Sequence, residues 1–338
     1  MERKADILLD ATVVRNPESG VQRAVRREAE ELLQLLPSAK LCRGGGLKSK
    51  PACRMLWQQC VLPFMEYGAL YAMAYTAPLL CRRPYLLNVH DVIALTHPDL
   101  CSCRNLLQMR ALLPSSIRRA SQVIVSTAYV ATQVKRLFPK AKVEVAPLGV
   151  DYDEFAKSEE TVPVAGPYFL FVGNIEPKKG LMTLLSAFLQ KDWGAKLVLA
   201  GRIGWKCSEL LAIIKRFPQR IIWLGRVSDA KLPALYHNAL ALIMPSIVEG
   251  FGLPVLEAMA AATPVIHSNI PALMETAGGA GLDFELGNAS SLAAAMKKIQ
   301  DSAALRHELV EAGRKRAMQL NWKKRAQVTA SLLEELVQ

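Results

Sequence analysis

The chain has 338 residues, of which 51% are hydrophobic and 21% charged, a composition that excludes a disordered protein and suits two domains of ordinary size. No apolar stretch of about 18 residues is free of charges and prolines, which predicts no transmembrane helix, and the first residues lack the apolar core of a secretory signal. The seven cysteines lack metal-binding spacing, so we expect free thiols in a reducing cytoplasm.

The net charge of +12 is unevenly distributed, because residues 1–150 contribute +10 of it. A basic half suits an anionic partner, such as nucleic acid, an anionic membrane or a phosphorylated substrate. Charge alone is equally compatible with a solvated basic surface.

Residues 1–150 alternate apolar runs with amphipathic stretches, a pattern that predicts parallel α/β units. Strands are predicted at 7–9, 85–90, 122–126 and 142–146. Helices are predicted at 20–36 and 128–138, and the glycine-rich segment 43–51 is predicted to be a loop.

A polar, proline-containing segment at 151–166 is predicted to connect this first domain, 1–150, to a second domain at 167–322. Strands of the second domain are predicted at 168–172, 196–200, 221–224, 239–244 and 264–267, and amphipathic helices at 290–299 and 305–318. Residues 323–338 are predicted to form a helix that packs back on the first domain. The fold class is therefore α/β, with two Rossmann-like domains and a ligand-binding cleft expected between them.

The most informative stretch runs from Pro245 to Met259. A predicted strand ends at Pro245, a glycine-containing loop follows, and Pro254 occupies a position that suits the start of a helix, which would place Glu257 in its first turn. Backbone N–H groups at a helix N-terminus bind anions, and the carboxylates of Glu249 and Glu257 accept hydrogen bonds from hydroxyl groups. The stretch therefore suits a polyhydroxy ligand that carries a phosphate, although a loop glutamate and a favourable first-turn charge would give the same pattern.

The spacing of Glu249 and Glu257, with the sequence GFGLPVLEAM over 250–259, resembles the donor-site motif of the family-4 (group 1) retaining glycosyltransferases, whose fold is the two-domain GT-B architecture. In that family the first glutamate contacts the transferred sugar and the second contacts the ribose of the nucleotide. By this resemblance Glu249 is a catalytic and donor-binding residue, and Glu257 is donor-binding. The resemblance also assigns to the sugar and phosphate the loop residues Gly250, Phe251, Gly252 and Leu253.

A second stretch, 169–180, runs from a predicted strand through a glycine loop towards a helix. Lysines beside helix amides suit a diphosphate, although two exposed lysines at a helix start would look the same. The sequence VGNIEPKKG is similar to the family pattern VGxxxP[KR]K, whose lysine neutralises the leaving diphosphate. The resemblance makes Lys179 catalytic and donor-binding, with Lys178 beside it, and adds Gly173 and Asn174 to the donor site, the latter where some members have an arginine.

Four further residues enter the predicted site by a broader resemblance. His90, at the end of a predicted strand, would face the transferred sugar across the cleft as a catalytic residue, whereas a lone histidine is more often structural. Arg202 and Val227 lie in loops that resemble donor-site loops, the second near the nucleobase. Gly20 stands where members often have two close glycines, and it would allow a close backbone approach.

The segment Asp151-Tyr152-Asp153 has the D-x-D form of a divalent-metal site in a different glycosyltransferase fold. Because it falls in the predicted connector, we expect no metal and no other cofactor, the nucleotide sugar being a substrate.

The resemblance implies a retaining, metal-independent glycosyltransferase (a hexosyltransferase) of cell-surface polysaccharide synthesis, with GDP-mannose favoured as donor. Its expected partners are a nucleotide-sugar donor, a saccharide or lipid-linked acceptor, and the inner face of an anionic membrane, contacted through the basic half and the apolar segment 62–71. One alternative is a sugar-nucleotide epimerase of the same fold, which would need acidic groups near the sugar. Another is a nucleic-acid binder, which the scattered basic residues and the lack of an aromatic-rich motif disfavour.

Overall fold

A computed structural model describes residues 7–14, 19–44, 50–157 and 164–338 of the chain. The chain divides into two compact units. Unit 1 comprises Met1–Gly149 and Trp322–Gln338, and unit 2 comprises Val150–Asn321. Each contains a parallel sheet with flanking helices, so the predicted α/β fold class with two Rossmann-like domains is confirmed.

Unit 1 is built on the strands β1 (Ile7–Ala11), β2 (Lys40–Arg43), β3 (Ala69–Ala72), β4 (Tyr85–Val89), β5 (Gln122–Val125) and β6 (Val143–Val145). They form one parallel sheet in the order β2-β1-β3-β4-β5-β6. Its helices are α1 (Gly20–Leu35), α2 (Pro51–Cys60), α3 (Ile93–Thr96), α4 (Cys103–Arg119), α5 (Ala128–Leu137) and the last helix of the chain, α14 (Trp322–Leu336).

Unit 2 is built on the strands β7 (Tyr168–Val172), β8 (Lys196–Ala200), β9 (Ile221–Gly225), β10 (Ala241–Met244), β11 (Val265–Ser268) and β12 (Leu282–Phe284). They form a second parallel sheet in the order β12-β11-β10-β7-β8-β9. Its helices are α6 (Tyr152–Ala156), α7 (Leu181–Leu189), α8 (Ser208–Arg216), α9 (Leu232–His237), α10 (Leu253–Ala260), α11 (Pro271–Ala277), α12 (Ala289–Asp301) and α13 (Ala303–Gln319).

The strands β1, β3 and β4 inside the sheet of unit 1 are buried along their whole length, because helices cover both faces of the parallel sheet. Successive side chains of a strand point to opposite faces. Leu87 of β4 packs in one core cluster with Leu70, whereas its neighbour Leu86 packs in the other with Leu9 and with Leu333 of α14. The last helix is therefore part of the core of unit 1.

A buried ion pair also connects α14 to the rest of unit 1. Nε of Arg325 lies 2.9 Å from Oε2 of Glu28 on α1, and neither side chain is exposed. The hydroxyl groups of Tyr71 and Thr329 each donate to Glu28 Oε1 at 2.8 Å. The guanidinium group of Arg325 also donates to the side-chain oxygen of Asn88 at 3.2 Å. The pair thus links α14 to α1, β3 and β4.

The segment predicted as a connector, 151–166, differs from that expectation where it is described. Residues from Val150 onward belong to unit 2, and α6 lies within the segment. The buried ring of Phe155 packs 5.8 Å from the ring of Tyr236. Residues 158–163 lie outside the described part of the chain.

In the described part of unit 1, two strands (β2 and β3) and three helices (α2, α3 and α4) have no counterpart among the predicted elements. Strands β2 and β3 have only four residues each, too short for a clear alternation of polar and apolar residues. The predicted loop 43–51 is shortened, because β2 ends at Arg43 and α2 begins at Pro51. Residues 45–49 of that loop lie outside the described residues.

Candidate active site

The two predicted donor motifs meet at the carboxyl ends of β7 and β10 in unit 2. These strands are neighbours, with Leu170 of β7 paired to Leu242 of β10. Parallel strands share their carboxyl edge, which is where α/β folds bind ligands. The backbone N–H of Ile247 donates to the carbonyl oxygen of Lys178 at 2.8 Å. The loops that follow the two strands therefore contact each other directly.

Lys179 and Glu249 form an ion pair at this edge. Nζ of Lys179 lies 2.5 Å from Oε1 of Glu249, and the side chains are only 13% and 10% exposed. The hydroxyl group of Ser246 donates to the same carboxylate oxygen at 2.8 Å. The residue predicted to bind the diphosphate and the residue predicted to bind the sugar are thus in contact.

Glu249 stays ionised at neutral pH in spite of its burial. Burial raises the pKa of its carboxyl group, but the charges of Lys179 and Lys178 and the hydrogen bonds from Lys179 and Ser246 outweigh it, so the pKa lies below its ordinary value. The ammonium group of Lys178 itself lies 3.8 Å from Oε1 of Glu176. The ionised carboxylate can accept hydrogen bonds from ligand hydroxyl groups.

Gly180 allows the two loops to approach each other. Lys179 ends a short 3-10 turn, Pro177–Lys179, and Gly180 follows with φ of 63°, a left-handed conformation that favours glycine. A Cβ atom at Gly180 would lie 1.9 Å from the carbonyl oxygen of Pro245. No larger residue fits between the loops without moving them apart.

The other donor residues predicted from loops of unit 2 follow the strands β7, β8 and β9. Gly173 follows β7 directly, and a Cβ atom on Gly201, which follows β8, would lie 1.8 Å from the carbonyl oxygen of Gly173. Asn174 and Arg202 are exposed, and Val227 is half-buried after β9. The carboxyl ends of three adjacent strands thus bring together the donor residues predicted from the loops that follow them.

The loop within the stretch 245–259 leads into α10. Its residues before and at the start of the helix are buried: Gly250, Phe251, Gly252 and Leu253. Gly252 is the N-cap, with a left-handed φ of 96°. The helix begins at Leu253, so Glu257 lies beyond its first turn. The prediction that Glu257 is a first-turn residue is wrong, because the helix begins directly after the last glycine of the loop.

Glu257 is 5% exposed, and a tyrosine holds its carboxylate. The hydroxyl group of Tyr236, on the neighbouring helix α9, donates to Oε2 of Glu257 at 2.7 Å. Tyr236 is fully buried, so this hydrogen bond fixes the orientation of the carboxylate that was predicted to bind the ribose.

His90 lies in unit 1, immediately after β4, and is 6% exposed. Its Nε2 atom is 3.4 Å from Nδ2 of Asn88, and its ring is 5.2 Å from that of Tyr75. Burial and the nearby charge of Arg325 lower the pKa of His90 to about 4, against the opposing effect of Asp91. The imidazole is therefore neutral at physiological pH, and it can donate or accept a hydrogen bond but carries no charge.

Gly20, the other predicted donor residue of unit 1, is the first residue of α1. Ser19 caps this helix, since its hydroxyl group accepts from the N–H of Gln22 while the side chain of Gln22 accepts from the N–H of Ser19. A Cβ atom at Gly20 would meet no atom within 4 Å. No protein group described here therefore requires a glycine at this position.

The chain matches a known protein family over its second unit. Residues 153–316 match the sequence profile described as glycosyl transferases group 1. The second unit of the chain therefore belongs to this family. The matched range contains every residue of the predicted donor site except Gly20 and His90.

The chain is also similar to two mannosyltransferases of O-antigen chains. The chain is 29% identical over 249 residues to O-antigen chain mannosyltransferase B of Escherichia coli, a match that covers 69% of this chain and 65% of that protein. It is 30% identical over 232 residues to O-antigen chain mannosyltransferase RfbU of Salmonella typhimurium, with 67% of this chain and 63% of that protein covered. The chain thus spans somewhat less than two thirds of the length of these relatives.

The whole chain also resembles solved structures of this fold. Sucrose-phosphate synthase from Thermosynechococcus elongatus superposes with a TM-score of 0.78 at 20% sequence identity, and 98% of both chains is covered. The GT-B fold class predicted from the sequence is confirmed.

Two further properties concern the described residues only. Residues 7–14, 19–44, 50–157 and 164–338 contain no cluster of three or more histidine, cysteine or acidic side chains able to hold a metal ion. In the same part of the chain, no helix is both long and apolar enough to span a membrane.

Three residues that contact the predicted site were not among the predicted site residues. Ser246 lies inside the stretch 245–259, next to Pro245, and its proximity to Glu249 in the sequence could have indicated it. Tyr236 and Tyr75 lie 21 and 15 positions from the residues that they contact, Glu257 and His90. Only the tertiary structure brings them there.

Proposed function

We propose that this chain transfers a hexose from a nucleotide sugar to a saccharide acceptor in the synthesis of a cell-surface polysaccharide. The proposal rests on one observation above all, the contact between Lys179 and Glu249 at the carboxyl edge of unit 2, with Glu257 on the helix that follows. A cation for a diphosphate and carboxylates for sugar hydroxyl groups are the chemistry that a nucleotide sugar requires.

In this proposal Lys179 stabilises the leaving nucleoside diphosphate, with Lys178 beside it. Negative charge on the diphosphate grows as the bond to the sugar breaks, and fixed cations that meet this charge lower the barrier more than they favour the ground state. Glu249 binds hydroxyl groups of the sugar, and Glu257 binds the ribose. The backbone amides that surround Gly252 bind the sugar and phosphate.

We propose that the reaction retains the configuration of the sugar and needs no metal. The bond from the anomeric carbon to the diphosphate oxygen breaks, and the acceptor hydroxyl oxygen forms the new bond on the same face. The acceptor proton passes to an oxygen of the leaving diphosphate. Lys179 and Lys178 supply the positive charge that a divalent ion supplies in other glycosyltransferases, and activity should therefore persist in EDTA.

The favoured donor is GDP-mannose. Two relatives, at 29% and 30% identity, are named as mannosyltransferases of O-antigen chains, and a saccharide or lipid-linked glycan is the corresponding acceptor.

The test is a panel of nucleotide sugars that includes GDP-mannose and UDP-glucose, scored by thermal stabilisation and by transfer to mannose-containing oligosaccharides. A control without acceptor identifies an epimerase, which needs no second substrate. Lys179→Ala is the matched inactive variant, and absence of stabilisation by every donor would contradict the proposal.

We further propose that unit 1 docks on the inner face of an anionic membrane. Of the apolar segment 62–71, Leu62 and Tyr67 are buried in the core, whereas Phe64 is 74% exposed. Leu80 is 63% exposed, and the exposed residues Arg82 and Arg83 follow it two and three positions later in the sequence. Exposed apolar side chains beside basic ones suit an anionic bilayer, which would place the enzyme near a lipid-linked acceptor.

A further inference from the structure

Tyr75 occupies a strained turn just after β3. Its φ is 62°, a left-handed conformation that is rare for a residue with a bulky side chain. The N–H of Thr76 donates to the carbonyl oxygen of Ala74 at 2.7 Å, which closes a γ-turn around Tyr75. The positive-φ form of this turn is rare and strained. Such conformations cost about 1–3 kcal/mol and persist only where the surrounding structure enforces them.

Buried polar groups on both sides enforce this turn. Before it, the N–H of Tyr75 donates to the carbonyl oxygen of Asn88 on β4 at 2.9 Å. After it, the hydroxyl group of Thr76 donates to Gln58 on α2 at 3.0 Å, and Gln58 donates to the carbonyl oxygen of Thr76 at 2.9 Å and to Asp10 at 2.8 Å. Gln58, Thr76 and Asp10 are each at most 4% exposed. These hydrogen bonds therefore hold Tyr75 in its strained conformation.

The turn directs the Tyr75 side chain onto His90 and Asp91. Its hydroxyl group donates to Oδ2 of Asp91 at 2.6 Å, and its ring lies 5.2 Å from that of His90 with the planes inclined by 58°. The other oxygen of Asp91 accepts from the N–H of Ile93 at 3.0 Å. Tyr75 thus contacts both residues of the His-Asp pair that follows β4.

We propose that Tyr75 is a positioning residue that fixes the His90 ring and the Asp91 carboxylate in the orientation that the transferred sugar requires. This inference rests on the proposed function and on the role predicted from the sequence for His90, which is to contact that sugar. A glycine would form the same γ-turn without strain. What the strained turn provides, and glycine would not, is the aromatic ring and the hydroxyl group in contact with His90 and Asp91.

Two variants separate positioning from stability. Tyr75→Phe keeps the ring and the strained turn but removes the hydrogen bond to Asp91. Tyr75→Gly relieves the strain, which offsets part of the packing lost with the ring. The control is Tyr85→Phe, which removes a buried tyrosine hydroxyl group at the opposite end of β4, where it donates to the carbonyl oxygen of Ser116 at 2.7 Å.

Each variant is characterised by its Tm, by kcat and KM for GDP-mannose turnover, and by the imidazole NMR resonances of His90 in the protein alone. We expect Tyr75→Phe to lose kcat by about 10-fold and Tyr75→Gly by about 100-fold, because small misplacements of contacting groups have effects of this size, with KM little changed. The His90 resonances should shift in both variants. Tyr85→Phe should lower Tm and leave kcat and the His90 resonances unchanged.

The outcomes distinguish this inference from the proposed function. If wild type turns over no nucleotide sugar, the proposed function fails, whereas shifted His90 resonances in Tyr75→Phe would still support the positioning by Tyr75. If wild type is active and folded Tyr75→Phe retains its kcat and its His90 resonances, Tyr75 is only a structural residue and the inference is overturned.

Discussion

The ammonium nitrogen of Lys179 lies 2.5 Å from Oε1 of Glu249, so two residues predicted to bind different parts of the donor neutralise each other. A diphosphate would compete with Glu249 for Lys179, and a sugar hydroxyl group would compete with Lys179 for Glu249. The charge of Lys179 helps to keep the buried carboxyl group of Glu249 ionised. Binding of a donor therefore exchanges one charge-assisted contact for two.

Replacing Lys179 by Met should reduce both turnover and stability. Removal of the cation leaves Glu249 buried beside Lys178 alone, and breaking a buried pair costs about 3 kcal/mol or more, while turnover should fall by about 100-fold or more. Folding stabilises the ionised form of Glu249, whose pKa in the folded chain lies below its ordinary value. That contribution is present above the ordinary carboxyl pKa and is lost as the pH falls below it. The stability difference between wild type and Lys179→Met in urea denaturation should thus narrow from pH 7 to pH 4.

An exposed ion pair with the same distance between nitrogen and oxygen provides the control for Lys179→Met. Lys297 and Asp301 also approach to 2.5 Å, but their side chains are 61% and 53% exposed. Exposed pairs contribute about 0–1 kcal/mol, so Lys297→Met should change neither stability nor turnover noticeably. Equal losses in the two variants would contradict a special role for the pair at the site.

Glu249 and Glu257 should differ in their effect on nucleotide affinity. If Glu257 binds the ribose, Glu257→Ala should weaken binding of GDP in isothermal titration calorimetry as well as lower turnover. Glu249→Ala should lower turnover and leave GDP affinity nearly intact. Tyr236→Phe, which removes the hydroxyl group that holds Glu257, should weaken GDP binding less than Glu257→Ala. Unchanged GDP affinity in Glu257→Ala would remove Glu257 from the nucleotide site.

Gly180 should not tolerate a side chain. Gly194, a glycine of similar φ, should tolerate one. At Gly180 a Cβ atom would lie 1.9 Å from Pro245, but at Gly194, with φ of 58°, it would meet nothing within 4 Å. Gly194→Ala therefore isolates the cost of the left-handed backbone, about 1 kcal/mol. Gly180→Ala adds the separation of the two donor loops and should greatly weaken GDP binding. Equal thermal and GDP-binding effects in the two variants would show that the loop contact is unimportant.

The buried pair of Arg325 and Glu28 should show strong coupling. Arg325→Met leaves an uncompensated carboxylate in the core of unit 1 and should cost about 3–5 kcal/mol. In Arg325→Met/Glu28→Gln the charge is gone, while an amide oxygen still accepts the hydroxyl groups of Tyr71 and Thr329. Chemical denaturation of both single variants and the double variant measures the coupling free energy between the two residues. If the losses in the free energy of unfolding of the single variants simply add up in the double variant, the two residues are not coupled and the prediction is contradicted.

The sequence was sufficient for the α/β fold class and the donor motifs, because both depend on short-range patterns. Apolar runs such as β7 and β10 predict buried parallel strands, and the glycines beside Lys179 and Glu249 mark the loops after them. The buried network around Arg325 could not be predicted, since Glu28 is nearly 300 positions away and nothing local distinguishes either residue from a surface charge. The γ-turn at Tyr75 was likewise hidden, because no local pattern there indicates a left-handed residue.

Binding to anionic vesicles should depend on the basic and apolar residues of unit 1. In co-sedimentation, the protein should bind vesicles of phosphatidylcholine and phosphatidylglycerol, bind phosphatidylcholine alone much less, and dissociate as salt rises. Each basic residue near the surface adds about 1 kcal/mol, so Arg82→Glu/Arg83→Glu should abolish most of the binding. Arg119 is unsuitable for this test, because its guanidinium group holds the loop carbonyls of Leu79 and Cys81. The control Lys298→Glu/Lys315→Glu changes exposed charges of unit 2 and should bind normally. Equal binding of wild type to neutral and anionic vesicles would mean that the basic residues of unit 1 serve a purpose other than membrane contact.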